Sequence, residues 1–112
     1  MGEKDIRKYL HDVLLAIEGI ESFTQDFSMP HLDIIRNKWA LERGVSIIGE
    51  ALYKARNLNP ELPVADLKAI IATRHIVVHD YDLVDSARML MIVTKHLPIL
   101  KKEILAILQT FD

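Results

Sequence analysis

Three side chains that suit phosphate chemistry lie within eight positions of one another, in the segment ATRHIVVHDY. They are Arg74, His79 and Tyr81. An arginine offers a planar fork of donors to phosphate oxygens, and a histidine exchanges a proton near neutral pH. A tyrosine hydroxyl can orient a phosphate or can itself be modified. Together they suit cleavage of an RNA phosphodiester, because the ribose 2′-hydroxyl is the nucleophile and no metal is needed.

The spacing of these residues constrains the helix that carries them. On an unbroken helix Arg74 and His79 point about 140° apart, whereas Arg74 and Tyr81 lie nearly in line. For Arg74 and His79 to act on one atom, the helix must end near His79 or the arginine must reach across. Asp82 is a good helix cap, and it indicates a break just after the tyrosine. The apolar run 76–78 would then anchor a helix end in the core.

Two plainer interpretations of the segment remain open. An arginine, a histidine and a tyrosine at a helix end also form ordinary hydrogen-bonded caps. His75 and His79, four residues apart, have the spacing of half a zinc site. They lack the intervening glutamate of the metalloprotease motif and an obvious third ligand, so we expect no metal and no cofactor. The other histidines lie singly on other predicted helices, where we expect them at the surface or its boundary: His11, His31 and His96.

Length and composition limit the class of protein. A chain of 112 residues forms one domain, residues 1–112, and half of its residues are hydrophobic. The absence of cysteine excludes disulfides and thiolate chemistry. A net charge of −2 argues against binding of long nucleic acids by overall positive charge. No apolar run has the length of a membrane span and the N-terminus resembles no signal peptide, so we expect a soluble, cytoplasmic protein.

Apolar residues recur at helical spacing along the chain, and no strand pattern appears. The predicted fold is therefore all-α, an up-and-down bundle of four to five helices. Gly19 is expected near the end of the first helix. The predicted helices cover residues 5–23, Pro30 to about Arg56, Pro63 into the opening segment, and Asp82 onward, with Pro98 kinking the last helix or restarting it as a fifth.

The second predicted helix has a distinct inward face and several exposed cations. Trp39, together with residues 89–91, is expected in the core or at a dimer interface. The cations Arg36, Lys38 and Arg43 could contribute to RNA binding. The inward face is assigned to Leu32, Ile35, Trp39, Val45, Ile48, Leu52 and Ala55.

Two blocks of sequence together resemble a known family. Arg74 to Tyr81 reads R-x-x-x-x-H-x-Y, which is the signature of HEPN-domain ribonucleases and resembles the HepT-like toxin family. The block ALERGVSIIGEAL, residues 40–52, is similar to the IIGEA segment on that family's long second helix. DLVD after the tyrosine and HLPILKKEI near the C-terminus follow in family order. The resemblance covers nearly the whole chain.

This resemblance implies a HEPN-like bundle that forms a homodimer and brings two motifs towards a shared cleft. It implies metal-independent cleavage of an RNA substrate, with Arg74 and His79 as the catalytic residues. It also implies a partner, an MNT-type nucleotidyltransferase antitoxin that transfers AMP to the motif tyrosine, here Tyr81. A bulky anionic nucleotide at that hydroxyl would repel RNA and obstruct the cleft.

Three further residues receive expected roles near the motif. His75 stands where the family most often has asparagine, and it could share the proton transfer or orient the phosphate. Glu50 could hydrogen-bond Arg74, or it could be a solvated side chain on the helix face. Gly49 is expected to permit close helix contact.

A second function, from another class, is compatible with the same residues. The acidic residues around the motif repel RNA, and they favour a non-catalytic helical module that forms a complex with a nucleotidyltransferase. The same carboxylates should raise the pKa of His79 by favouring its charged form. These acidic residues are Asp80, Asp82 and Asp85.

Overall fold

The computed structural model describes residues 5–25, 35–65, 67, 70 and 91–111, and the regular secondary structure of these residues is entirely helical. The described residues contain three α-helices and no strand: α1 (Ile6–Thr24), α2 (Ile35–Leu58) and α3 (Leu97–Gln109), the last preceded by a π-helical segment, Ile92–His96. The all-α class is thereby confirmed. The count of four to five helices stays a prediction.

Helix α1 is capped by Asp5, whose carboxylate accepts a hydrogen bond from the backbone N–H of Arg7 at 2.9 Å. The Arg7 side chain also bonds this carboxylate and lowers the pKa of Asp5. The apolar residues of α1 at helical spacing face the core: Leu10, Val13, Ile17 and Ile20 are buried, and Ile6 and Leu14 are partly buried. The helix ends at Thr24, one residue beyond the predicted range 5–23, and Gly19 lies inside it. The Thr24 hydroxyl donates to the carbonyl of Ile20 at 2.7 Å, so this end is held from within the helix.

Helix α2 packs along α1 through an apolar stripe with alternating spacings of four and three residues. The stripe consists of Leu41, Val45, Ile48, Leu52 and Ala55. The predicted inward position of Trp39 is wrong, since 65% of its surface is exposed. Trp39 precedes Leu41 by two residues, which places it about 160° away around the helix. Leu41, which the predicted face omitted, takes the buried position.

Close approach of α1 and α2 depends on Gly44. A Cβ atom at this position would lie 2.7 Å from Cδ1 and 2.8 Å from Cγ1 of Ile20. Ile20 is itself buried and has little room to move. The absence of a side chain at Gly44 therefore sets how near the two helices come.

The connector after α2 is anchored by apolar side chains. Leu62 and Val64 are buried, although the backbone from Leu62 to Val64 is not helical. The prediction that Pro63 opens a helix is therefore wrong, and Leu67 is the first described residue after it with helical structure. The N–H of Ala65, just before this point, donates to a carboxylate oxygen of Glu103 at 2.9 Å. A side chain from α3 thus accepts the backbone donor at this end of the connector.

Helix α3 begins at Leu97, one residue before Pro98, where the sequence predicts a kink or restart. In a regular α-helix the Pro98 ring would clash with the carbonyl of Thr94. The preceding turn is instead π-helical, and the N–H of Leu97 donates to the carbonyl of Ile92. The wider turn accommodates the proline without ending the helical path. Met91, at the start of this stretch, is 49% exposed and is not part of the core.

Helix α3 completes the core against α1. Lys101 Nζ lies 2.9 Å from Glu21 Oε1 on α1, and this hydrogen bond raises the pKa of the lysine. No helix in the described part of the chain is both long enough and apolar enough to cross a membrane. The buried residues of α3 are Leu97, Leu100, Ile104 and Ile107.

Candidate functional site

Only one of the five predicted site residues lies in the part of the chain that the structure describes. Glu50 is on α2, and the other four lie outside the described residues: Arg74, His75, His79 and Tyr81. The structure therefore shows the elements that lead into the motif and out of it. Their geometry determines where the chain enters and leaves the segment.

The chain enters the motif from a firmly packed connector. Val64 and Leu67 are buried at 6% and 8% exposure, and Ile70, half-buried, packs against the same core. The hydrogen bond from Ala65 to Glu103 ties this region to α3. Val64, Leu67 and Ile70 therefore pack against the core, and Ile70 precedes the motif arginine by four positions.

The chain leaves the motif region through the π-helical segment, which begins at Ile92. Ile92 and Val93 are half-buried and pack against the core, which secures this side of the segment. Turns of π-helix inside α-helices are uncommon and occur frequently at functional sites. Here Pro98 is a sufficient local reason for the π-helical turn, so the turn by itself does not indicate a functional site.

Glu50 lies on the exposed side of α2. Its carboxylate is 3.5 Å from Lys54 Nζ, one turn further along, and both side chains are about half exposed. An exposed pair of this kind contributes little to stability. The described contacts therefore match the solvated alternative for Glu50, and its hydrogen bond to Arg74 stays a prediction. Gly49, next to it, is buried, as a glycine at a close helix contact would be.

Glu42 is a polar residue that the sequence reasoning did not single out. One of its carboxylate oxygens, Oε1, is buried and has no hydrogen-bond partner in the part of the chain described. Burial raises the pKa of Glu42, and nearby Lys38 partly opposes that rise. The sequence could have indicated this partial burial, because Glu42 follows Leu41 and lies about 100° around the helix from the centre of the buried stripe. A carboxyl group with a raised pKa holds its proton more readily than an exposed one.

The face of α2 that lies opposite its buried stripe carries an exposed tryptophan between two exposed arginines. Arg36, Trp39 and Arg43 fall within about 60° around the helix axis. The part of the chain described provides neither arginine with an ion pair or a hydrogen-bonding partner for its side chain. We name these three residues the Arg–Trp–Arg face.

Two other features of the described residues contribute no catalytic chemistry. No group of three or more histidine, aspartate or glutamate side chains among them is placed to hold a metal ion. An open groove of about 750 Å³ lies where the start of α1 meets the ends of α2 and α3. Its lining is far in sequence from the motif and includes Ile6, Leu58, Leu62 and Phe111.

Comparison with known proteins places the chain among ribonucleases. The family described as "Ribonuclease HepT-like" matches residues 13–107, a range that includes the whole R-x-x-x-x-H-x-Y motif. No solved structure matches the chain.

Several proteins of Methanocaldococcus jannaschii are similar over their whole length or part of it. "Putative RNase MJ1380" is 30% identical, over 93% of this chain and 97% of that protein. "Putative RNase MJ0125" is 28% identical, over 100% of this chain and 98% of that protein. "Gamma-glutamylcyclotransferase and putative RNase MJ0434" is 34% identical over 97% of this chain, which corresponds to 50% of that longer protein. The match to the family description over most of the chain, with full-length relatives named as RNases, shows that this chain belongs to the HepT-like ribonuclease family.

Proposed function

We propose that the protein is a metal-independent endoribonuclease toxin of a HepT/MntA-type toxin–antitoxin pair. The observation that carries this proposal is the family match over residues 13–107, which contains Arg74, His79 and Tyr81 at the motif spacing. The core described above supports it, because buried residues hold the chain on both sides of the motif.

The proposed reaction uses the substrate's own nucleophile. The ribose 2′-hydroxyl attacks the adjacent phosphorus, the bond to the 5′-oxygen breaks, and a 2′,3′-cyclic phosphate forms. His79 takes the proton from the 2′-hydroxyl or returns one to the leaving oxygen, since its ordinary pKa lies near neutrality. Arg74 binds the non-bridging oxygens and stabilises the charge that develops on them. His75 and Glu50 have supporting roles in this proposal, in orienting the phosphate and Arg74.

The proposed regulation acts through Tyr81. An MNT-type nucleotidyltransferase antitoxin would transfer AMP to the tyrosine hydroxyl and so place a bulky anion beside the catalytic pair. Repulsion of the RNA phosphate and obstruction of the cleft would both silence cleavage. The toxin would act as a homodimer in the cytoplasm, with two motifs facing a shared cleft.

Cleavage is tested with purified, unmodified protein and cellular RNA in the presence of a chelator. The expected result is cleavage by the unaltered chain and loss of cleavage in the His79→Ala variant. General acid–base catalysis typically contributes about 10²- to 10⁴-fold to the rate, so the cleavage rate should fall by about that factor. Intact RNA with the unaltered protein, or equal cleavage by both proteins, would refute the nuclease proposal.

Modification is tested by the intact mass of protein isolated with its partner. We expect an excess of one or more AMP units that disappears in the Tyr81→Phe variant. If the excess persists in that variant, the modified residue is not Tyr81.

The acidic residues Asp80, Asp82 and Asp85 favour a second candidate, a non-catalytic module that binds a nucleotidyltransferase. The Arg74→Ala variant separates the two functions in cells. A ribonuclease would lose growth inhibition in this variant and still form the complex. A binding module would change only in complex assembly.

A further inference from the structure

Four cations in the part of the chain described form an ion pair with a carboxylate, and neither arginine of the Arg–Trp–Arg face is among them. Lys8 pairs with Asp12, Lys54 with Glu50 and Lys101 with Glu21. Arg36 and Arg43 have no such partner in the part of the chain described. In a chain of net charge −2, two arginines that have no ion pair among the described residues form, on one helix face, a local site for an anion.

Trp39 lies between these arginines and exposes 65% of its surface. A large aromatic ring in water forgoes the free energy that burial would contribute. An exposed ring beside positive charge is the arrangement on which proteins stack unpaired bases. Leu15 on α1 is exposed to the same degree, at 67%, but it is aliphatic. Trp39 therefore differs from it in offering a flat π surface to a ligand.

The combination of ring and cations indicates the chemistry of the ligand. Single-stranded nucleic acid presents unstacked base faces and a phosphate backbone, and proteins bind it with exposed aromatic rings and adjacent positive charge. A protein partner would have to bury both arginines and supply carboxylates to pair with them. A base-paired duplex keeps its base faces stacked and unavailable.

We propose that the Arg–Trp–Arg face is a single-stranded RNA-binding site, on which a base stacks against Trp39 while Arg36 and Arg43 bind flanking phosphates. This inference rests on the proposed ribonuclease function, for which the face would supply substrate affinity separate from the motif. It assigns these residues to binding and gives them no part in bond cleavage.

The test uses the fact that Trp39 is the only tryptophan in the chain. The full chain is titrated with a single-stranded 2′-O-methyl oligoribonucleotide, which cannot be cleaved because its 2′-oxygen carries a methyl group. Base stacking should quench the tryptophan emission in a saturable way, and a duplex of the same length should quench it less. Binding is thereby measured whether or not the protein cleaves RNA, so failure of the nuclease proposal gives a different result from failure of this one.

Variants measured by fluorescence anisotropy of a labelled oligonucleotide give the size of the effect. Trp39→Ala should weaken binding about 5- to 100-fold, and Trp39→Phe, which keeps a ring, should weaken it less. Arg43→Gln should reduce the magnitude of the salt-dependence slope by about 0.7, the value for one phosphate contact on a single strand. Leu15→Ala is the matched control for loss of an exposed apolar side chain and should bind as the unaltered chain does.

Three results would overturn the proposal. Equal affinities for Trp39→Ala and Leu15→Ala would show that the ring does not bind RNA. Anisotropy binding without any change in tryptophan emission would place the RNA elsewhere. A blue shift of the emission with rising protein concentration in the absence of RNA, together with a monomeric Trp39→Ala variant, would show that the face is a contact between subunits.

Discussion

Two glycines on neighbouring helices differ in what surrounds them. Gly44 faces Ile20 across the contact between α1 and α2, where a Cβ would approach to 2.7 Å. Gly19 lies inside α1, and a Cβ there would meet nothing within 4 Å. The same substitution should therefore have opposite effects at the two positions.

At the first position, Gly44→Ala should lower the free energy of unfolding by about 1–2 kcal/mol, because overpacking exceeds the gain in helix propensity. Gly19→Ala should raise it by about 0.5–1 kcal/mol, because only the propensity gain remains. Urea denaturation of the two variants measures both changes. If Gly44→Ala is as stabilising as Gly19→Ala, the close approach of the two helices is wrong.

Glu42 should make stability depend on pH. Burial raises its pKa above the ordinary value of 4.5, so the folded state holds this proton more tightly than the unfolded state. Its contribution is therefore favourable at low pH and is lost as pH rises from about the ordinary value through the raised one. Glu42→Gln removes this term, so the variant should gain stability relative to the unaltered chain across that window and keep the gain at higher pH. A stability difference that does not change with pH would contradict the raised pKa.

At the scale of elements, the connector after α2 is held by a residue from another helix. Glu103 on α3 accepts the hydrogen bond from the N–H of Ala65, 38 positions away. Removing one side-chain partner of a hydrogen bond typically costs about 1 kcal/mol. Glu103→Ala should lose about that amount, whereas Glu103→Gln keeps an acceptor oxygen and should lose less.

The measurement is again the free energy of unfolding, combined with hydrogen exchange at the Ala65 amide. Faster exchange in Glu103→Ala than in Glu103→Gln is expected. Exchange that is the same in both variants and in the unaltered chain would mean that the carboxylate does not protect this amide.

For the whole molecule, the resemblance to HEPN ribonucleases predicts a homodimer. Light scattering at micromolar concentration should therefore give twice the chain mass of 12.8 kDa. The exposed side chains of the monomer offer apolar area for such a contact, among them Met91, Ile99 and Leu105. A strictly monomeric protein would remove the shared-cleft mechanism while leaving the fold unaffected.

The sequence by itself determined the helical class, the apolar stripe of α1, most of the stripe of α2 and the family. These follow from local rules, since helical periodicity repeats every few residues and the motif and the IIGEA block are contiguous. The sequence-based predictions were wrong where a residue's position depends on contacts with a distant part of the chain. The periodicity allowed Trp39 a place on the inward face, but packing against α1 selected Leu41 and left Trp39 in solvent.

Tertiary structure alone decided the features that join distant parts of the chain. Nothing in the sequence distinguishes Gly44 from the other three glycines, and its role follows from the contact with Ile20. Likewise, Glu103 is one of sixteen acidic residues, and its role follows from the hydrogen bond with Ala65. The raised pKa of Glu42 likewise depends on which side of α2 is covered. Residue type and spacing specify what chemistry a chain can perform. Burial, charge pairing and helix approach depend on neighbours that only the folded chain supplies.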